Sequence, residues 1–302
     1  MLCVNTPAKV NLFLNIRGPR EDGYHDLCMI MQAITLFDTL SVWPNMENKQ
    51  QLTLTCDHPA LMQEDLADNL VAKAYELFFK WTELPKLGLT VHLEKKIPVR
   101  AGLGGGSSDA AAMLQVLNEL TCANLSYEEL RQMATHLGSD VPFFLTGGTA
   151  LAKGRGEQLE PVYLPELSLS LAIIKPREID VSTVAAYKSY RQQGHYEIRS
   201  PEKLLHALGN ARIATEIEAF LWNDFESVLF EAYPALARYV AQMQTLGISR
   251  PLMAGSGPTL VGLIEETPEN RRILAEYFPD SDFEVFWACT HPAGMMPVVP
   301  VM

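Results

Sequence analysis

The sequence lacks the features of exported, membrane-spanning and cysteine-rich metal proteins. No apolar run reaches the roughly 18 residues that a membrane-spanning helix needs, and the first residues do not form the charged-then-apolar pattern of a signal peptide. The five cysteines are scattered and contain no C-x-x-C pair, so we expect free thiols in a reducing compartment and no metal site built from them. These absences predict a cytoplasmic protein without a membrane partner.

Basic residues are also in short supply. Lysine and arginine number 24 against 36 aspartates and glutamates, which gives a formal net charge of −12. Nucleic acids and anionic membranes bind basic surfaces, so this balance argues against both as partners. An anionic ligand must therefore be held by local donors. The 302 residues, of which 48% are hydrophobic and 20% charged, are enough for two globular domains of about 150 residues each.

A glycine-rich stretch is the most informative feature that is present. Residues 98–112 read P-V-R-A-G-L-G-G-G-S-S-D-A-A-A, and glycine allows backbone N–H groups to turn inward around a ligand. Ser107, Ser108 and Asp109 suit the first turn of a helix, so we expect a helix to start near Ser107. Its apolar stripe has helical spacing and comprises Ala110, Met113, Leu114, Leu117 and Leu120. The free N–H groups at such a helix N-terminus favour a phosphate.

Two well-known phosphate loops can be excluded for this stretch. The chain has no Gly-Lys dipeptide, so it contains no G-x-x-x-x-G-K-[ST] loop. The dinucleotide pattern G-x-G-x-x-G also fails, because Ser107 or Asp109 stands where its third glycine belongs. A plain tight turn remains the alternative to a phosphate cradle.

The first strand carries polar residues at alternating positions. Residues 8–16 alternate, so that two sets of side chains face opposite ways: Ala8, Val10, Leu12, Leu14 and Ile16 on one side, and Lys9, Asn11, Phe13 and Asn15 on the other. Lys9 and Asn11 would then project together, which suits a shared polar ligand. A solvated strand face with an ordinary surface lysine is the alternative.

Three further places admit both a structural and a functional interpretation. Tyr24 and His25 end a turn-rich stretch and are either packing residues at the start of a strand or ligand contacts. Asp140 follows a helix stop at Gly138 and is either a turn residue or a rigid, partly buried base. The turn A-G-S-G at residues 254–257 is either a simple hairpin turn or a loop that closes over a phosphate site from another domain.

The remaining elements are predicted from periodicity and capping residues. Helices are expected from Asn69 with Asp68 as N-cap, and from Ser126, where Glu129 completes a capping box. Further helices are expected near 182–191, 200–208, 213–222 and 232–246. Strands are expected at 30–43, 51–56, 87–93, within 148–164, at 169–174 and at 283–289.

Three separated motifs, at residues 7–12, 98–112 and 254–259, occur in one order that resembles the superfamily of galactokinase, homoserine kinase, mevalonate kinase and phosphomevalonate kinase. The resemblance implies a two-domain α/β fold (an α+β two-layer arrangement). Residues 1–160 would form an ATP-binding domain with a left-handed β-α-β unit, and residues 161–302 a substrate-binding domain with a ferredoxin-like core. The stretches D-G-Y-H at 22–25, G-S-D-V-P-F-F at 138–144 and N-D-F-E at 223–226 narrow the resemblance to members that act on a cytidine-diphosphate-linked polyol.

The resemblance implies a particular reaction. This is the ATP-dependent phosphorylation of the 2-hydroxyl of 4-diphosphocytidyl-2-C-methyl-D-erythritol, a step of the non-mevalonate route to isoprenoid precursors, with ATP and Mg²⁺ as cofactors. A homoserine or mevalonate kinase of the same superfamily, or a non-catalytic nucleotide sensor, is the alternative. We expect a small-molecule substrate as the only partner, and a monomer or a weak homodimer.

Roles for individual residues also come from the resemblance. Lys9 matches the lysine beside the acceptor hydroxyl, and Asp140 matches its base. The substrate residues would be Asn11, Tyr24, His25, Thr183 and Tyr187. ATP would be held by Pro98, Val99, Arg100, Ala101, Gly102, Leu103, Gly104, Gly105, Gly106, Ser107 and Ser108, with Asn69 and Lys95 at the adenosine. No magnesium ligand is assigned, although Asp109, where relatives often have Asn, is an alternative metal contact.

Overall fold

A computed structural model describes residues 1–45, 50–62, 65–210, 216–248, 250–293 and 299–300, and it contains two β-sheets. The first sheet is built on two long antiparallel strands, β1 (Leu2–Pro19) and β2 (His25–Pro44). The other edge of β2 pairs with β4 (Leu89–Glu94) near one end and with β5 (Thr149–Gly154) near the other. The sheet is completed by β3 (Leu52–Cys56), β6 (Gln158–Val162), β8 (Trp222–Asn223) and β12 (Val299–Pro300).

Helices pack against one face of this sheet and fill its core. They are the short α1 (Pro59–Met62), followed by α2 (Leu70–Thr82), α3 (Gly105–Thr121), α4 (Tyr127–Leu137) and α5 (Val141–Thr146). The strands β3 and β4 run parallel, with α2 in the connection between them, so the predicted β-α-β unit is present. Fully buried aromatic side chains stabilise the layer between helices and sheet: Tyr75, Phe78, Phe143 and Phe144.

The second sheet has four antiparallel strands in the order β11-β7-β10-β9. They are β7 (Ser170–Pro176), β9 (Leu252–Met253), β10 (Leu260–Leu263) and β11 (Phe283–Cys289). The helices of this half are α6 (Thr183–Gln193), α7 (Glu202–Asn210), α8 (Phe225–Ala232), α9 (Pro234–Thr245) and α10 (Pro268–Tyr277). Counted in chain order the strands lie fourth, first, third and second, which is the ferredoxin-like arrangement that the resemblance implies. The predicted fold class is therefore confirmed.

Several element boundaries differ from the predictions. The helix predicted at 213–222 is wrong for the described residues from 216 onward, which form a 3₁₀ turn at Glu218–Phe220 and then β8; residues 213–215 lie outside the described part of the chain. The helix predicted at 232–246 is α9, which starts at Pro234 because proline favours a first helical turn, and α8 precedes it. Asn69, and not Asp68, is the N-cap of α2.

The predicted alternation of residues 8–16 is wrong in its second half. Asn11 pairs with Met31 and Phe13 with Ile30, so Leu12 is an extra residue in β1, a β-bulge. The bulge reverses the alternation, so that Leu14 and Ile16 face the same side of the sheet as Lys9 and Asn11. The alternative of a solvated strand face is also wrong, because both polar side chains are buried.

The described part of the chain holds no helix that is both long enough and apolar enough to cross a bilayer. All five cysteines are free thiols, as predicted.

Candidate active site

A cleft of about 660 Å³ lies between β1, α5, α6 and the turn after β9. All seven residues that the sequence predicted for catalysis and substrate binding line it: Lys9, Asn11, Tyr24, His25, Asp140, Thr183 and Tyr187. These residues come from positions up to 178 apart in the sequence. The fold thus brings the separate motifs to one place.

The centre of the cleft is a lysine between two polar partners. The Lys9 Nζ donates to Asn11 Oδ1 at 2.9 Å and lies 3.4 Å from Asp140 Oδ2. Lys9 is only 4% exposed, whereas the Asp140 side chain is 34% exposed and faces the cleft. Asp140 precedes α5 but makes no side-chain capping hydrogen bond, so its carboxylate is not used as a turn residue would use it. A partly accessible carboxylate beside a buried ammonium group can accept a proton while the cation stabilises developing negative charge.

The glycine-rich stretch forms a loop and the first turn of α3. The helix begins at Gly105, two residues before the predicted start, and its N-cap is Gly104 with a φ of 75°. A Cβ on Gly104 would lie 2.7 Å from the Phe144 ring, so only glycine fits this left-handed position. The backbone N–H of Lys9 donates to the Leu103 carbonyl at 2.9 Å and joins the loop to β1.

A second cleft of about 300 Å³ lies along this loop. It is lined by Asn69 and Lys95 and by most of the predicted ATP contacts: Pro98, Val99, Arg100, Ala101, Gly102, Gly104, Gly105, Gly106 and Ser107. Leu103 and Ser108 are fully buried and do not line it. Gly102, Gly104 and Ser107 line both clefts, so the two spaces meet at the N-terminus of α3. Backbone N–H groups and the helix dipole favour an anion there.

The turn at residues 254–257 lies directly on the first glycine loop. It is a hairpin turn, because the Ala254 N–H donates to the Thr259 carbonyl at 2.9 Å. It also touches the loop backbone to backbone, since a Cβ on Gly102 would lie 2.0 Å from the Ala254 oxygen. The hairpin turn is therefore confirmed, and it lies against the glycine loop; its closing over a phosphate stays a prediction. Across the cleft, the Thr183 and Ser256 hydroxyls hydrogen-bond at 2.9 Å.

Aromatic rings form the far end of the large cleft. The His25 imidazole stacks on the Tyr187 ring, with centroids 4.9 Å apart and planes 20° apart. Within the described residues His25 Nε2 has no hydrogen-bond partner, and burial, with a smaller effect of Arg191, lowers the pKa of His25. Tyr24 is 53% exposed, and the Arg155 guanidinium lies 4.8 Å from its ring centroid. This end of the cleft therefore combines an accessible aromatic face, at Tyr24, with a buried imidazole nitrogen whose hydrogen-bonding capacity is unused within the described residues.

The Lys95 side chain is engaged within the protein and is not a free ligand contact. Its side chain is 3% exposed, and its ammonium group forms ion pairs with Asp38 and Asp109 beneath the glycine loop. Asp38 also accepts hydrogen bonds from the backbone N–H groups of Lys96 and Ile97, at 2.7 and 2.8 Å. Burial and the neighbouring Asp109 raise the pKa of Asp38 to about 6. Lys95 thus joins β2, β4 and α3, and its role toward adenosine stays a prediction.

Asp109 is the alternative metal contact, but both of its carboxylate oxygens already accept hydrogen bonds within the protein. One oxygen accepts from the Thr6 hydroxyl at 2.7 Å and the other from Lys95 at 2.8 Å. Within the described ranges, no group of three or more histidines, cysteines, aspartates or glutamates is arranged to hold a metal ion. A divalent cation at this site would depend on oxygens that a ligand supplies.

Sequence reasoning gave no role to the side chains of the N-D-F-E stretch. Asn223 donates to two backbone carbonyls at the second glycine turn, Asp224 accepts from β1, and Glu226 accepts from the Met253 N–H. All three are buried. The signal that could have revealed them is a run of polar residues in an otherwise apolar neighbourhood, followed by a helix.

Comparisons with known proteins agree with this geometry. The GHMP kinases N terminal domain family matches residues 69–148, and the GHMP kinases C terminal family matches residues 202–280. A 4-diphosphocytidyl-2-C-methyl-D-erythritol kinase from Nostoc punctiforme is 39% identical, covering 96% of this chain and 96% of that protein. A protein of the same name from Acaryochloris marina is 37% identical, covering 93% of this chain and 94% of its own length.

Solved structures show the same relationship. A crystal structure of 4-(cytidine 5'-diphospho)-2C-methyl-D-erythritol kinase superposes with a TM-score of 0.77 at 34% identity and covers 95% of this chain and 98% of that chain. A homoserine kinase from Cytophaga hutchinsonii superposes with a TM-score of 0.73 at 16% identity, covering 99% and 97% of the two chains. At that identity the second likeness is one of fold alone.

Proposed function

Because the chain belongs to the 4-diphosphocytidyl-2-C-methyl-D-erythritol kinase family of the GHMP kinases, we propose that it transfers the γ-phosphoryl group of ATP to the 2-hydroxyl of 4-diphosphocytidyl-2-C-methyl-D-erythritol. The protein is a small-molecule kinase, and the reaction serves isoprenoid precursor synthesis. The observation that carries the assignment to this site is the Lys9–Asp140 pair, 3.4 Å apart, where the large cleft meets the glycine loop.

The proposed chemistry uses Asp140 and Lys9 on the acceptor hydroxyl. Asp140 accepts its proton as the hydroxyl oxygen attacks the γ-phosphorus, and the bond from that phosphorus to the β–γ bridging oxygen breaks, so that ADP leaves. Lys9 stabilises the negative charge that develops on the attacking oxygen. Asn11 holds the ammonium group in place through its 2.9 Å hydrogen bond. Phosphoryl transfer depends mainly on positioning and charge neutralisation, which two fixed side chains at the end of a phosphate loop can supply.

The nucleotide is proposed to lie along the small cleft. The residues between Pro98 and Ser107 that line this cleft hold the phosphates, with Leu103 and Ser108 buried behind them, and Asn69 and Lys95 flank the adenosine. Mg²⁺ accompanies the phosphates and neutralises part of their charge when bound. The hydroxyl of Ser107, a residue that lines both clefts, would be a suitable protein oxygen for it, and the remaining ligands would have to come from the nucleotide and water.

The cytidine end of the substrate is proposed to lie at the aromatic end of the large cleft. The neutral His25 offers its unpartnered Nε2 to the edge of the cytosine, and Tyr24 offers an exposed ring for stacking. Thr183 and Tyr187 line the wall beside them. Homoserine and mevalonate have no base to place there, so these contacts favour the cytidyl substrate over both.

An assay of ADP release tests the proposal. Purified protein with ATP and Mg²⁺ is offered 4-diphosphocytidyl-2-C-methyl-D-erythritol, homoserine, mevalonate or no acceptor. We expect turnover with the cytidyl substrate and kcat/KM at least a hundredfold lower with the simple alcohols. Comparable turnover of a simple alcohol would assign the chain to another activity of the superfamily, and ATP binding without any turnover would favour the nucleotide sensor.

The domain limits, oligomeric state and compartment are also proposals. We place the ATP-binding domain at residues 1–160 and the substrate-binding domain at 161–302. This limit falls within β6, the last strand of the first sheet before the chain enters the second sheet at β7, and β8 and β12 later rejoin the first sheet. The scattered free cysteines support a cytoplasmic location, and we propose a monomer or a weak homodimer. Light scattering at several protein concentrations would distinguish the two oligomeric states.

A further inference from the structure

The buried side chain of Asn223 connects the two halves of the site. Its Nδ2 donates to the carbonyls of Met253, at 2.9 Å, and Gly255, at 2.7 Å, while its Oδ1 accepts from the Phe225 N–H at 3.0 Å. Asn223 is only 3% exposed, so all three bonds are shielded from water. One of them ends on Gly255, in the turn that covers the glycine loop, and another on Met253, the last residue of the strand before that turn.

Asn223 is itself fixed to the strand that carries Lys9. In the parallel pairing of β8 with β1, Asn223 lies opposite Leu14, and the next N–H, of Asp224, donates to the Leu14 carbonyl at 3.0 Å. The Asp224 carboxylate accepts from the Ile16 N–H at 2.6 Å. The carboxamide of Asn223 therefore has a fixed position relative to β1.

The turn that Asn223 holds lies against the proposed reacting groups. A Cβ built on Gly255 would lie 3.4 Å from Lys9 Nζ and 3.6 Å from Asn11 Oδ1. A Cβ built on Gly257 would lie 2.6 Å from the Ala101 carbonyl carbon and 2.7 Å from the Gly102 nitrogen. The turn thus backs Ala101 and Gly102 of the glycine loop, which line the small cleft where the phosphates are proposed to lie, while its own Gly255 and Ser256 line the large cleft.

A second bond to the same segment comes from the helix that follows Asn223. The Glu226 carboxylate accepts from the Met253 N–H at 3.0 Å, and Arg250 forms an ion pair with its other oxygen at 2.9 Å. The backbone carbonyl and N–H of Met253 are therefore bound by the side chains of Asn223 and Glu226, which belong to one short stretch. The Asn223 bond to Gly255 is the one that reaches into the turn.

We propose that Asn223 is a positioning residue for ATP: its carboxamide holds the second glycine turn against the first glycine loop and so shapes the phosphate site. The inference rests on the proposed function for the identity of the nucleotide. The inference does not depend on which acceptor the enzyme uses, because it concerns ATP binding, which can be measured without any acceptor.

The test is calorimetric titration of Mg-ATP into wild type and Asn223→Ala. Removing the carboxamide frees the turn, and we expect the Kd for ATP to rise about tenfold, which corresponds to about 1.4 kcal/mol. We expect the Kd for the cytidyl substrate to change less than twofold, because its base is proposed to lie at Tyr24 and His25. Partial unfolding would lower the binding stoichiometry and leave the Kd of the folded fraction unchanged.

Asn118→Ala is the matched control. The Asn118 carboxamide also makes two hydrogen bonds to backbone groups, both of Leu125, but it lies near the far end of α3. We expect this variant to lose thermal stability to a similar degree and to bind ATP with the wild-type Kd. An equal loss of ATP affinity in both variants would mean that Asn223 acts only through general stability, and would overturn the proposal.

Gly257→Ala tests the turn without changing Asn223. Its methyl group must push the turn away from Ala101, so we expect a rise in the Kd for ATP of similar size. The double variant should lose much less than the product of the two single losses, because both changes displace the same turn. Unchanged ATP affinity in Gly257→Ala would overturn the proposal even where Asn223→Ala does not fold.

Normal ATP binding in wild type without turnover of the cytidyl substrate would overturn the proposed function and leave this inference about Asn223 valid.

Discussion

His25 lies flat on Tyr187, with the two rings 4.9 Å apart, and this contact places a neutral imidazole at the end of the large cleft. Burial lowers the pKa of His25, and the charge of Arg191 adds a smaller effect in the same direction. The neutral form therefore persists below the usual histidine range. The ring can accept or donate one hydrogen bond at each nitrogen without carrying charge.

The first prediction concerns the pH dependence of substrate binding. Because the pKa of His25 is lowered, KM for the cytidyl substrate should stay flat from pH 8 through about 6.5 and rise only at lower pH, as the imidazole becomes charged. In His25→Asn the KM should be higher throughout and lack this rise. Steady-state kinetics between pH 5.5 and 8 measure both. A KM that already rises between pH 8 and 7 in wild type would contradict a neutral His25.

The second prediction separates base recognition from chemistry. Tyr24→Ala removes the exposed ring, and base–aromatic stacking contributes about 1–3 kcal/mol per base. We expect KM for the cytidyl substrate to rise roughly tenfold with kcat nearly unchanged. This is the result expected when the lost interaction stabilises the bound substrate and the transition state equally. Tyr163→Ala, which removes another exposed tyrosine outside both clefts, is the control.

The third prediction concerns proton transfer. Asp140→Asn keeps the shape of the side chain and removes the base, so kcat should fall by roughly 10² or more with little change in KM. Lys9→Ala should also lower kcat strongly. If both act on one proton transfer, the double variant should cost much less than the product of the single losses. Fully multiplicative losses in single-turnover measurements would show that the two groups act independently.

The fourth prediction concerns the glycine loop. In Gly104→Ala a methyl group enters a left-handed position and meets the Phe144 ring at 2.7 Å, so the loop must move. We expect the Kd for ATP to rise at least tenfold with the fold retained. Gly209→Ala is the comparison, because its methyl group would meet only Leu164, at 3.9 Å, and Gly209 lines neither cleft. Calorimetry should find a several times smaller loss there, and equal losses would disprove the steric explanation.

The fifth prediction concerns the buried carboxylates under the loop. A carboxyl group whose folded-state pKa is raised to about 6 binds more protons in the folded than in the unfolded chain between about pH 4 and 6. Asp38 therefore lowers the free energy of unfolding as pH rises through this window, by about 3 kcal/mol at most. In Asp109→Asn the decrease should be smaller, because one cause of the raised pKa is gone. Urea denaturation of both proteins at several pH values measures the difference.

The sequence was informative where function depends on local pattern. The glycine loop, the capping box at Ser126 and the second glycine turn are local signals, and the seven residues that the resemblance assigned to catalysis and substrate binding all line the large cleft. The structure then had to show that Lys95 is buried between two carboxylates. Those partners lie 57 and 14 residues away, and a lysine gives no sign in the sequence of which way its side chain turns.

Long-range hydrogen bonds explain most of what sequence reasoning missed. Asn223 binds carbonyls 30 and 32 residues further along the chain, and Asp224 binds a strand more than 200 residues earlier. Periodicity describes neighbours within one element and contains no information on such pairs. The helix predicted at 213–222 failed for a related reason, since pairing of Trp222 and Asn223 with β1 takes precedence over a weak helical pattern.

The extra residue at Leu12 makes chain length, rather than residue type, the critical property of β1. Many apolar side chains could replace Leu12, because what matters is that β1 has one residue at this point with no partner in β2. Shortening the strand there by a single residue would turn Leu14 and Ile16 to the opposite side and break the pairing that aligns Leu14 with Asn223. A gap or insertion between Lys9 and Leu14 in an aligned sequence therefore indicates that the strand pairing at the site has changed, even where every functional side chain is present.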